Sequence, residues 1–383
     1  TRILKSYGAL KDIISNVLTL DYIGGLAGSL LFPLILFPYA GRFLTSLLIG
    51  MINIIVAVYV ILKIEDYGKK RKDLLFAIFS LLILLVLSFN SDWINAILQK
   101  KMFYDDIVFS KRSKYQEIVL TRSSDDFRLY LDGSLQFSTS DEYRYHEMLV
   151  YPAILSSYTG LSRILVMGGG DGLAVREILK FEPVKSITLV ELDGFMVDLA
   201  KNNSTLKMIN RDSLSNPKVE VIIGDAYDYL INNRQGFDVI IADFTDPHDE
   251  TISKLYTVEF FRLVKKSLKP GGIFITQSTS SLFARDAFWC INKTMSIVFK
   301  NVYPYHAFIP TFGDWGFNMA SDIHLNIADD RMNRVRGRFY SKENLIASTV
   351  FPDDSSKIDT EINTFNKPVL YKYYLKGWKN SDY

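Results

Sequence analysis

Three nearly uncharged apolar stretches lie in the first quarter of the chain, at residues 22–40, 43–62 and 74–89. A helix that crosses a hydrocarbon core of about 30 Å needs about 20 apolar residues, and the second stretch has that length. Helices of a soluble bundle normally keep a polar stripe, which all three stretches lack. We therefore predict about three transmembrane helices. The glycines and prolines of the first stretch predict a kink or tight packing there.

A short amphipathic segment, residues 92–103, follows these stretches, with Trp93 and other apolar residues beside Lys100 and Lys101. This pattern predicts a connecting helix along the membrane surface, so residues 1–103 are assigned to a membrane segment. The chain begins at Thr1 without a basic, apolar and cleavage-site leader. We therefore expect it to be a piece of a longer precursor with room for further spans upstream.

From Tyr104 the pattern changes to short apolar runs separated by turns. Strands are predicted at residues 107–109, 116–121 and 128–136, and an Asp132-Gly133 turn breaks the last of them. Such runs, joined by a two-residue turn, are typical of antiparallel hairpins. We assign residues 104–139 to a small antiparallel β-domain.

Beyond residue 140, strand and helix patterns alternate. A helix is expected from about Asp141, with Ser140 as its cap and Tyr145, Met148 and Leu149 at helical spacing. Strands are then predicted at residues 163–167, 186–190, 219–223, 239–242 and 273–276, and helices at 173–181, 196–201, 226–231 and 260–267. This alternation is typical of a Rossmann-like α/β domain with a parallel sheet, which we assign to residues 140–383.

Composition narrows the classes of partner. The 44 basic and 42 acidic residues nearly balance, so the chain has no broad basic face and we expect no nucleic acid partner. The single cysteine, Cys290, excludes an internal disulfide framework and a cysteine-based metal site. The hydrophobic content of 48% agrees with a membrane segment joined to a folded domain.

A glycine-rich turn, GGGDG at residues 168–172, follows the first strand of the predicted α/β sheet. In open α/β sheets such a turn lets the backbone come close to a ligand. Glu191 closes the next strand, about twenty residues on, where a carboxylate can accept both hydroxyls of a ribose. Asp225 and Ala226 follow the third strand and could bracket an adenine. Because Asp171 would repel a pyrophosphate, the pattern favours a nucleoside over a dinucleotide.

The order and spacing of these motifs resemble the polyamine aminopropyltransferase (spermidine synthase) family. The likeness covers residues 104–321 and is carried by GGGDG at 168–172, Glu191, Asp225-Ala226, DFTDP at 243–247, Tyr115-Gln116, LDGSLQFSTSDEYRYHE at 131–147 and IPTFGDWGFNMAS at 309–321. The apolar sequence DYIGGLAGSLLFP, residues 21–33, resembles the membrane segment fused to some bacterial members.

The resemblance implies transfer of the aminopropyl group of decarboxylated S-adenosylmethionine to putrescine, giving spermidine and methylthioadenosine. Because alkylammonium groups titrate at about 10, the acceptor amine must lose a proton in the site. The family's catalytic aspartate, the expected base, falls on Asp243. The expected nucleoside site consists of Gln116, Gly168, Glu191, Asp225 and Ala226. The expected amine site consists of Tyr145, His146, Asp171 and Asp246. The donor is a co-substrate, and neither a metal nor another cofactor is expected.

Several alternatives stay open at this point. An S-adenosylmethionine-dependent methyltransferase uses the same kind of scaffold, although Asp171 would repel the carboxylate of that donor. A membrane protein that binds or transports polyamines without turnover is a second alternative, although Asp243 argues against it. His146 could simply pack in the core, and Trp315 could line the amine pocket or anchor the core. The residues 248–250 replace the Gly-Pro pair found in many family members and could favour a longer amine than putrescine.

Localisation predictions conflict. The basic segment at residues 63–72 belongs in the cytoplasm by the positive-inside rule, and one further span would place the C-terminal part outside. The intracellular donor favours a cytoplasmic catalytic domain, so we expect either an incomplete span or an orientation set by upstream helices. The expected location is the plasma membrane of a bacterium, in contact with lipid. The family resemblance also implies a homo-oligomer.

Overall fold

A computed structural model describes residues 10–63, 70–157 and 162–380 of the chain. The chain divides into two compact units, Thr1–Val108 and Phe109–Tyr383. Most of the basic segment at residues 63–72 lies outside the described residues.

The first unit is helical. Its helices are α1 (Leu10–Leu31), a π-helical turn (Phe32–Leu36), α2 (Phe37–Lys63), α3 (Lys70–Phe89) and α4 (Ser91–Met102). Three segments within them are long and apolar enough to span a membrane: Ile14–Leu36, Phe43–Lys63 and Lys70–Phe89. The first apolar stretch is not one regular α-helix, because the π-helical turn interrupts it. Gly41, with a φ of 68°, marks a kink just after this stretch.

The second unit contains a four-stranded antiparallel sheet, whose first strand begins just before the unit boundary. The strands are β1 (Asp106–Arg112), β2 (Glu117–Ser123), β3 (Asp126–Leu131) and β4 (Ser134–Ser138), in that spatial order. Asp132 and Gly133 both have positive φ, 47° and 85°, between β3 and β4. Positive φ at both central positions defines the type I′ turn that suits a hairpin. The predicted β-sheet and its turn are therefore confirmed.

A larger sheet of seven strands forms the centre of the second unit. Its strands are β5 (Arg163–Gly168), β6 (Ser186–Glu191), β7 (Val219–Ile223), β8 (Phe237–Asp243), β9 (Leu268–Gln277), β10 (Asn301–Ile309) and β11 (Gly313–Ser321). The spatial order is β10-β11-β9-β8-β5-β6-β7. The five strands from β7 to β9 are parallel, as predicted. The last two extend the sheet antiparallel. The predicted Rossmann-like α/β fold is confirmed, with these two strands added at one edge of its parallel part.

Helices cover both faces of this sheet. They are α5 (Glu142–Ser156), α6 (Leu173–Ile178), α7 (Gly194–Asn202), α8 (Ser204–Asn210), α9 (Ala226–Asn232), α10 (Glu250–Ser253), α11 (Val258–Ser267), α12 (Arg285–Ser296), α13 (Lys342–Ala347) and α14 (Leu370–Asn380). Alternate residues of β5 belong to opposite core clusters, Ile164 and Val166 to one and Leu165 and Met167 to the other. Burial on both faces explains why this strand is a continuous apolar run.

Helix α5 and its cap each lie one residue later than predicted. Asp141, not Ser140, is the N-cap residue, and its side chain makes no capping hydrogen bond. The Asp141 carboxylate instead accepts hydrogen bonds from the amide and hydroxyl of Thr311. The acid therefore joins the start of α5 to the turn that follows β10.

The strand order reverses between β5 and β8. From β5 the chain proceeds outward through β6 and β7, and it then returns to the other side of β5 with β8 and β9. Gly168 and Asp243, the last residues of β5 and β8, are partners in the parallel ladder. In open α/β sheets, ligands bind beyond the carboxyl ends of the strands at such a reversal.

Candidate active site

The glycine turn after β5 packs directly on Asp243. Gly168 and Gly169 have φ values of 76° and 68°, in the left-handed region that favours glycine. A Cβ atom at Gly168 would lie 2.3 Å from the Asp243 carbonyl oxygen, and one at Gly169 would lie 2.8 Å from Asp243 Oδ2. Both contacts are too short for any side chain. Glycine is therefore required at positions 168 and 169 by backbone conformation and by this close packing.

Glu191, at the end of β6, lies on the other side of the same turn. Its carboxylate accepts hydrogen bonds from the amides of Gly170, at 3.1 Å, and Asp193, at 2.9 Å. Burial raises the pKa of Glu191 to about 7, and the charges of Asp193 and Asp171 add to the increase. A carboxylate has about four acceptor positions, so two remain for the hydroxyls of a ligand.

The Gln116 side chain extends from the small four-stranded sheet toward the residues around Glu191. Its side-chain amide donates to Asp193 Oδ2 at 3.0 Å, and the Ser113 hydroxyl donates to the same oxygen at 2.6 Å. The structure thus brings Gln116 next to the residue that holds Glu191. The Gln116 side-chain nitrogen is thus engaged by the protein, as is the Gln116 backbone oxygen, which accepts from Ser113.

Asp225 and Ala226 begin α9, beyond the end of β7. Asp225 Oδ1 caps the helix by accepting from the amides of Tyr227, at 2.6 Å, and Asp228, at 3.3 Å. The Asp225 side chain is exposed, whereas Ala226 is buried. The cap holds the acid at the carboxyl edge of the sheet, two strands away from β5.

Asp243 has the surroundings most typical of a residue that takes part in acid–base chemistry. The buried Tyr145 hydroxyl, from α5, donates to Asp243 Oδ1 at 2.6 Å. Burial raises the pKa of Asp243 to about 6; the charge of Asp171 adds to this increase, while His146 and the Tyr145 hydrogen bond oppose it. Carboxyl groups whose pKa is raised toward neutrality by burial and like charge are typical of acid–base sites.

His146 is 2% exposed and belongs to a buried ionic network. Its Nδ1 lies 2.8 Å from a carboxylate oxygen of Glu142, and Arg176 donates to both oxygens of that carboxylate at 2.9 Å. Burial lowers the pKa of His146, but the hydrogen bond and charge of Glu142 outweigh burial, and the charges of Asp243 and Asp171 add to the rise, to about 9. This raised pKa favours the protonated imidazole at neutral pH.

Asp171 completes the same electrostatic group. Its Oδ1 accepts from the Leu173 amide at 2.9 Å, at the start of α6. Burial raises the pKa of Asp171, and Glu142 adds to this, while the charge of His146 opposes it. Asp171, Asp243 and His146 thus lie close enough to perturb one another's titration. A positive imidazole between two carboxylates favours their ionised forms.

Asp246 lies three residues beyond the base candidate, in the loop after β8. Its carboxylate accepts a hydrogen bond from Gln277 at 3.4 Å. Burial raises its pKa to about 6, and the polar side chains of Tyr374 and Gln277 oppose the increase. Sequence reasoning missed Gln277. This residue directly follows the strand predicted at residues 273–276, and it could have been found on that ground.

Other residues discussed from the sequence have structural contacts. Glu147 is buried and accepts hydrogen bonds from the amides of residues 338–340, so it holds a loop. Asp249 caps α10 through the Ile252 amide. The ring of Trp315 lies 5.1 Å from that of Phe312, and its Nε1 has no hydrogen-bond partner among the described residues.

Comparison of folds defines the class of protein. A spermidine synthase crystallised with the transition-state analogue AdoDATO is similar over 65% of this chain and 86% of its own, with a TM-score of 0.60 and 28% identity. The spermidine synthase of Thermotoga maritima has a TM-score of 0.58 and 26% identity, with the same coverage. The chain thus has the spermidine synthase fold, with a parallel-stranded Rossmann-like core behind a four-stranded antiparallel sheet.

Comparison of sequences gives the particular family. The family model described as the spermine/spermidine synthase domain matches residues 142–328. A polyamine aminopropyltransferase of Leptospira interrogans is 40% identical over 98% of this chain and 75% of its own length. One of Oceanobacillus iheyensis is 39% identical over 97% and 73%. The chain belongs to the polyamine aminopropyltransferase family, transferases whose general reaction moves the aminopropyl group of decarboxylated S-adenosylmethionine.

Proposed function

We propose that this protein transfers the aminopropyl group to putrescine and so makes spermidine and methylthioadenosine. The observation that carries the proposal is the position of Asp243. It lies at the strand reversal, held by Tyr145 on one side and packed against the glycine turn on the other. A nucleoside bound by the residues around Glu191 would then direct its sulfonium side chain toward the acidic residues of the proposed amine site.

The proposed step needs no activation of the leaving group, because the sulfonium already carries a positive charge. The acceptor ammonium loses one proton to Asp243, and its nitrogen attacks the carbon beside sulfur. As the N–C bond forms, the C–S bond breaks and its electron pair returns to sulfur, which leaves as a neutral thioether. The protein's tasks are alignment and proton removal, for which a rigid carboxylate near the reacting nitrogen suffices.

The remaining residues divide between the two substrates in this proposal. Glu191 accepts the ribose hydroxyls, with Gln116 and Gly168 beside it. Asp225 and the Ala226 amide bind the adenine. Asp171 binds the ammonium of the donor's aminopropyl group. Tyr145, His146 and Asp246 form the acceptor side, where Asp246 binds the far ammonium of the diamine.

Assay of the full chain with decarboxylated S-adenosylmethionine and putrescine tests the proposal. We expect methylthioadenosine and spermidine in equal amounts. A panel of cadaverine, agmatine and spermidine as acceptors then measures how strongly putrescine is preferred. Binding of these amines without methylthioadenosine release would instead support a binding or transport protein, and a faster reaction with a longer amine would replace putrescine as the acceptor.

The donor's missing carboxylate offers a separate test. In the proposed site Asp171 would face the end of the donor chain where intact S-adenosylmethionine carries its carboxylate, and like charges repel. We expect the decarboxylated donor to bind more tightly than S-adenosylmethionine in a competition assay with methylthioadenosine. Tighter binding of the carboxylated form would favour a methyltransferase.

The pH dependence of the reaction follows from the raised pKa values. Asp243 and Asp246 must be ionised to accept a proton and to bind an ammonium, and both have a pKa of about 6. The kcat/KM for putrescine should therefore fall as the pH drops through about 6 and level off above it. Steady-state rates from about pH 5 to pH 8 measure this. A profile that stays flat through that range would contradict the assigned ionisations.

We also propose that the first unit anchors the enzyme in the bacterial plasma membrane, with the catalytic unit in the cytoplasm. Three segments have the required length and composition, and their apolar side chains are almost all exposed. Residues 1–103 would form the anchor, 104–139 the small sheet and 140–383 the catalytic domain, in a homo-oligomer. The full chain should stay with membranes through an alkaline carbonate wash and leave them only in detergent. Release by carbonate would contradict a spanning anchor.

A further inference from the structure

The carboxylate of Asp193 is buried between two segments that belong to the proposed nucleoside site. Asp193 is 3% exposed and is the N-cap residue of α7. Its backbone amide donates to Glu191 Oε1 at 2.9 Å, so the residue already holds one side of that site. No step of the proposed reaction uses the Asp193 carboxylate itself. Burial of an acid is costly, so its side-chain contacts need an explanation of their own.

The two oxygens of the Asp193 carboxylate have separate partners. Oδ1 caps α7 by accepting from the Phe195 amide at 3.1 Å. Oδ2 makes no contact with the helix backbone among the described hydrogen bonds. It accepts instead from the Ser113 hydroxyl, at 2.6 Å, and from the Gln116 side-chain nitrogen, at 3.0 Å. Oδ2 therefore joins the start of α7 to the turn between β1 and β2.

This turn, residues 113–116, has a defined shape of its own. The Ser113 hydroxyl oxygen accepts from the amides of Tyr115 and Gln116, at 3.0 and 3.1 Å. The Ser113 amide donates to the Gln116 backbone oxygen at 2.8 Å. A second contact with α7 lies beside the turn, where the Lys111 ammonium is 4.8 Å from the centre of the Phe195 ring. The turn thus presents Gln116 in one position next to α7.

The contact with Asp193 also fixes which way the Gln116 amide faces. A carboxylate can only accept hydrogen bonds, so the nitrogen of the amide must lie toward Oδ2. Gln116 Oε1 is then directed away from Asp193, and it has no hydrogen-bond partner among residues 10–63, 70–157 and 162–380. An amide oxygen accepts and cannot donate. The ligand group that suits Gln116 in this orientation is therefore a donor, such as a hydroxyl.

Within the proposed function, we infer that Asp193 is a positioning residue that makes the nucleoside site specific for ribose hydroxyls. It holds Gln116 as an acceptor through its side chain and Glu191 through its backbone amide. Two acceptors are thereby fixed for the same sugar. A nucleoside that lacks a hydroxyl leaves one of them without a donor, and an unpaired buried acceptor lowers affinity.

Asp193→Asn separates the two tasks of the side chain. Asparagine is a good N-cap, so its oxygen can keep the bond to the Phe195 amide. Its NH₂ group takes the place of Oδ2 and cannot accept from Ser113 or Gln116. We expect the dissociation constant of methylthioadenosine, measured by titration calorimetry on the full chain in detergent, to rise about tenfold. The KM of the decarboxylated donor should rise in parallel, whereas kcat and the KM of putrescine at saturating donor should stay unchanged.

The 2′-deoxy and 3′-deoxy forms of methylthioadenosine provide a readout that a merely structural change would not move. Each deoxy form should bind the unmodified protein more weakly than methylthioadenosine. In Asp193→Asn the Gln116 amide is free to turn, so the larger of the two deoxy penalties should fall about fivefold. Loss of local structure alone would instead weaken all three nucleosides by the same factor.

Asp329→Asn is the matched control. Asp329 also caps a helical turn with Oδ1, through the Arg331 amide at 2.8 Å, and its Oδ2 also holds a side chain, the Arg331 guanidinium at 3.1 Å. It lies outside the proposed site, so all three affinities should stay unchanged. Ser113→Ala should weaken methylthioadenosine binding, and in the Asp193→Asn background it should add little.

Two results would overturn the inference while transfer itself stands: an unchanged affinity for methylthioadenosine in Asp193→Asn, or a loss that is equal for all three nucleosides. Failure of the unmodified protein to bind methylthioadenosine, or to release it from the decarboxylated donor, would instead overturn the proposed function.

Discussion

Replacing Asp243 by asparagine should lower the kcat of methylthioadenosine release by about 10²- to 10⁴-fold, the usual contribution of a positioned general base. Asparagine keeps the size of the side chain and an oxygen that can accept from Tyr145. It cannot take a proton from the acceptor ammonium. Most of the loss should therefore appear in kcat, and donor binding should change much less.

The measurement is single-turnover formation of methylthioadenosine at saturating donor and putrescine. Asp198→Asn is a suitable control, because Asp198 is an exposed acid on α7 that bonds only to Asn202 of the same helix among the contacts described. It should retain the full rate. A full rate in Asp243→Asn as well would remove the base assignment, and attention would move to Asp171.

Replacing Glu142 by alanine should destabilise the second unit by about 3–5 kcal/mol, the usual cost of removing one partner from a buried ion pair. The side chain is 8% exposed and is held by Arg176 and His146. Without the Glu142 carboxylate, the buried side chains of Arg176 and His146 lose their shared anionic partner. Glu182→Ala, which removes an exposed acid, should change stability by less than about 0.5 kcal/mol.

Urea unfolding of the full chain in detergent, followed by tryptophan fluorescence, measures this difference. Three of the four tryptophans, at positions 289, 315 and 378, lie in the second unit. The pH dependence of the free energy of unfolding provides a second test of the network. His146 has its pKa raised to about 9 in the folded protein, so its contribution is complete below about 6.5 and is lost as pH rises toward 9. The free energy of unfolding of Glu142→Ala should therefore not show this decrease as the pH rises toward 9. Equal midpoints for Glu142→Ala and Glu182→Ala would contradict the network.

The parallel part of the fold was predictable because each element has a strong local pattern. The strand β5 is an uninterrupted apolar run that ends in glycine, and the helices between strands carry their own caps, as Asp193 and Asp225 do. The antiparallel strand β10 was not predicted. It lies at the edge of the sheet and contains Pro304, which lowers a strand prediction although an edge strand tolerates it.

The site residues that could be predicted were likewise those with a clear local sequence pattern. Glu191 and Asp243 could be assigned from sequence because each ends a strand of a parallel sheet, and such ends meet at one edge. The pairing of Tyr145 with Asp243 joins positions 98 apart and has no local signal. The ionic role of Glu142 was missed, because a glutamate in the first turn of a helix usually faces solvent. Only packing of α5 against α6 brings it to Arg176.

The contact between the glycine turn and Asp243 has a consequence for altering this enzyme. No side chain fits at Gly168 or Gly169, because both pack on Asp243, and Gly168 is also its partner in the parallel ladder. If the nucleoside binds beside this turn as proposed, that side of the site is closed to redesign by substitution in the turn. The proposed amine side is assembled from separate stretches of chain, so its preference should be open to change one residue at a time.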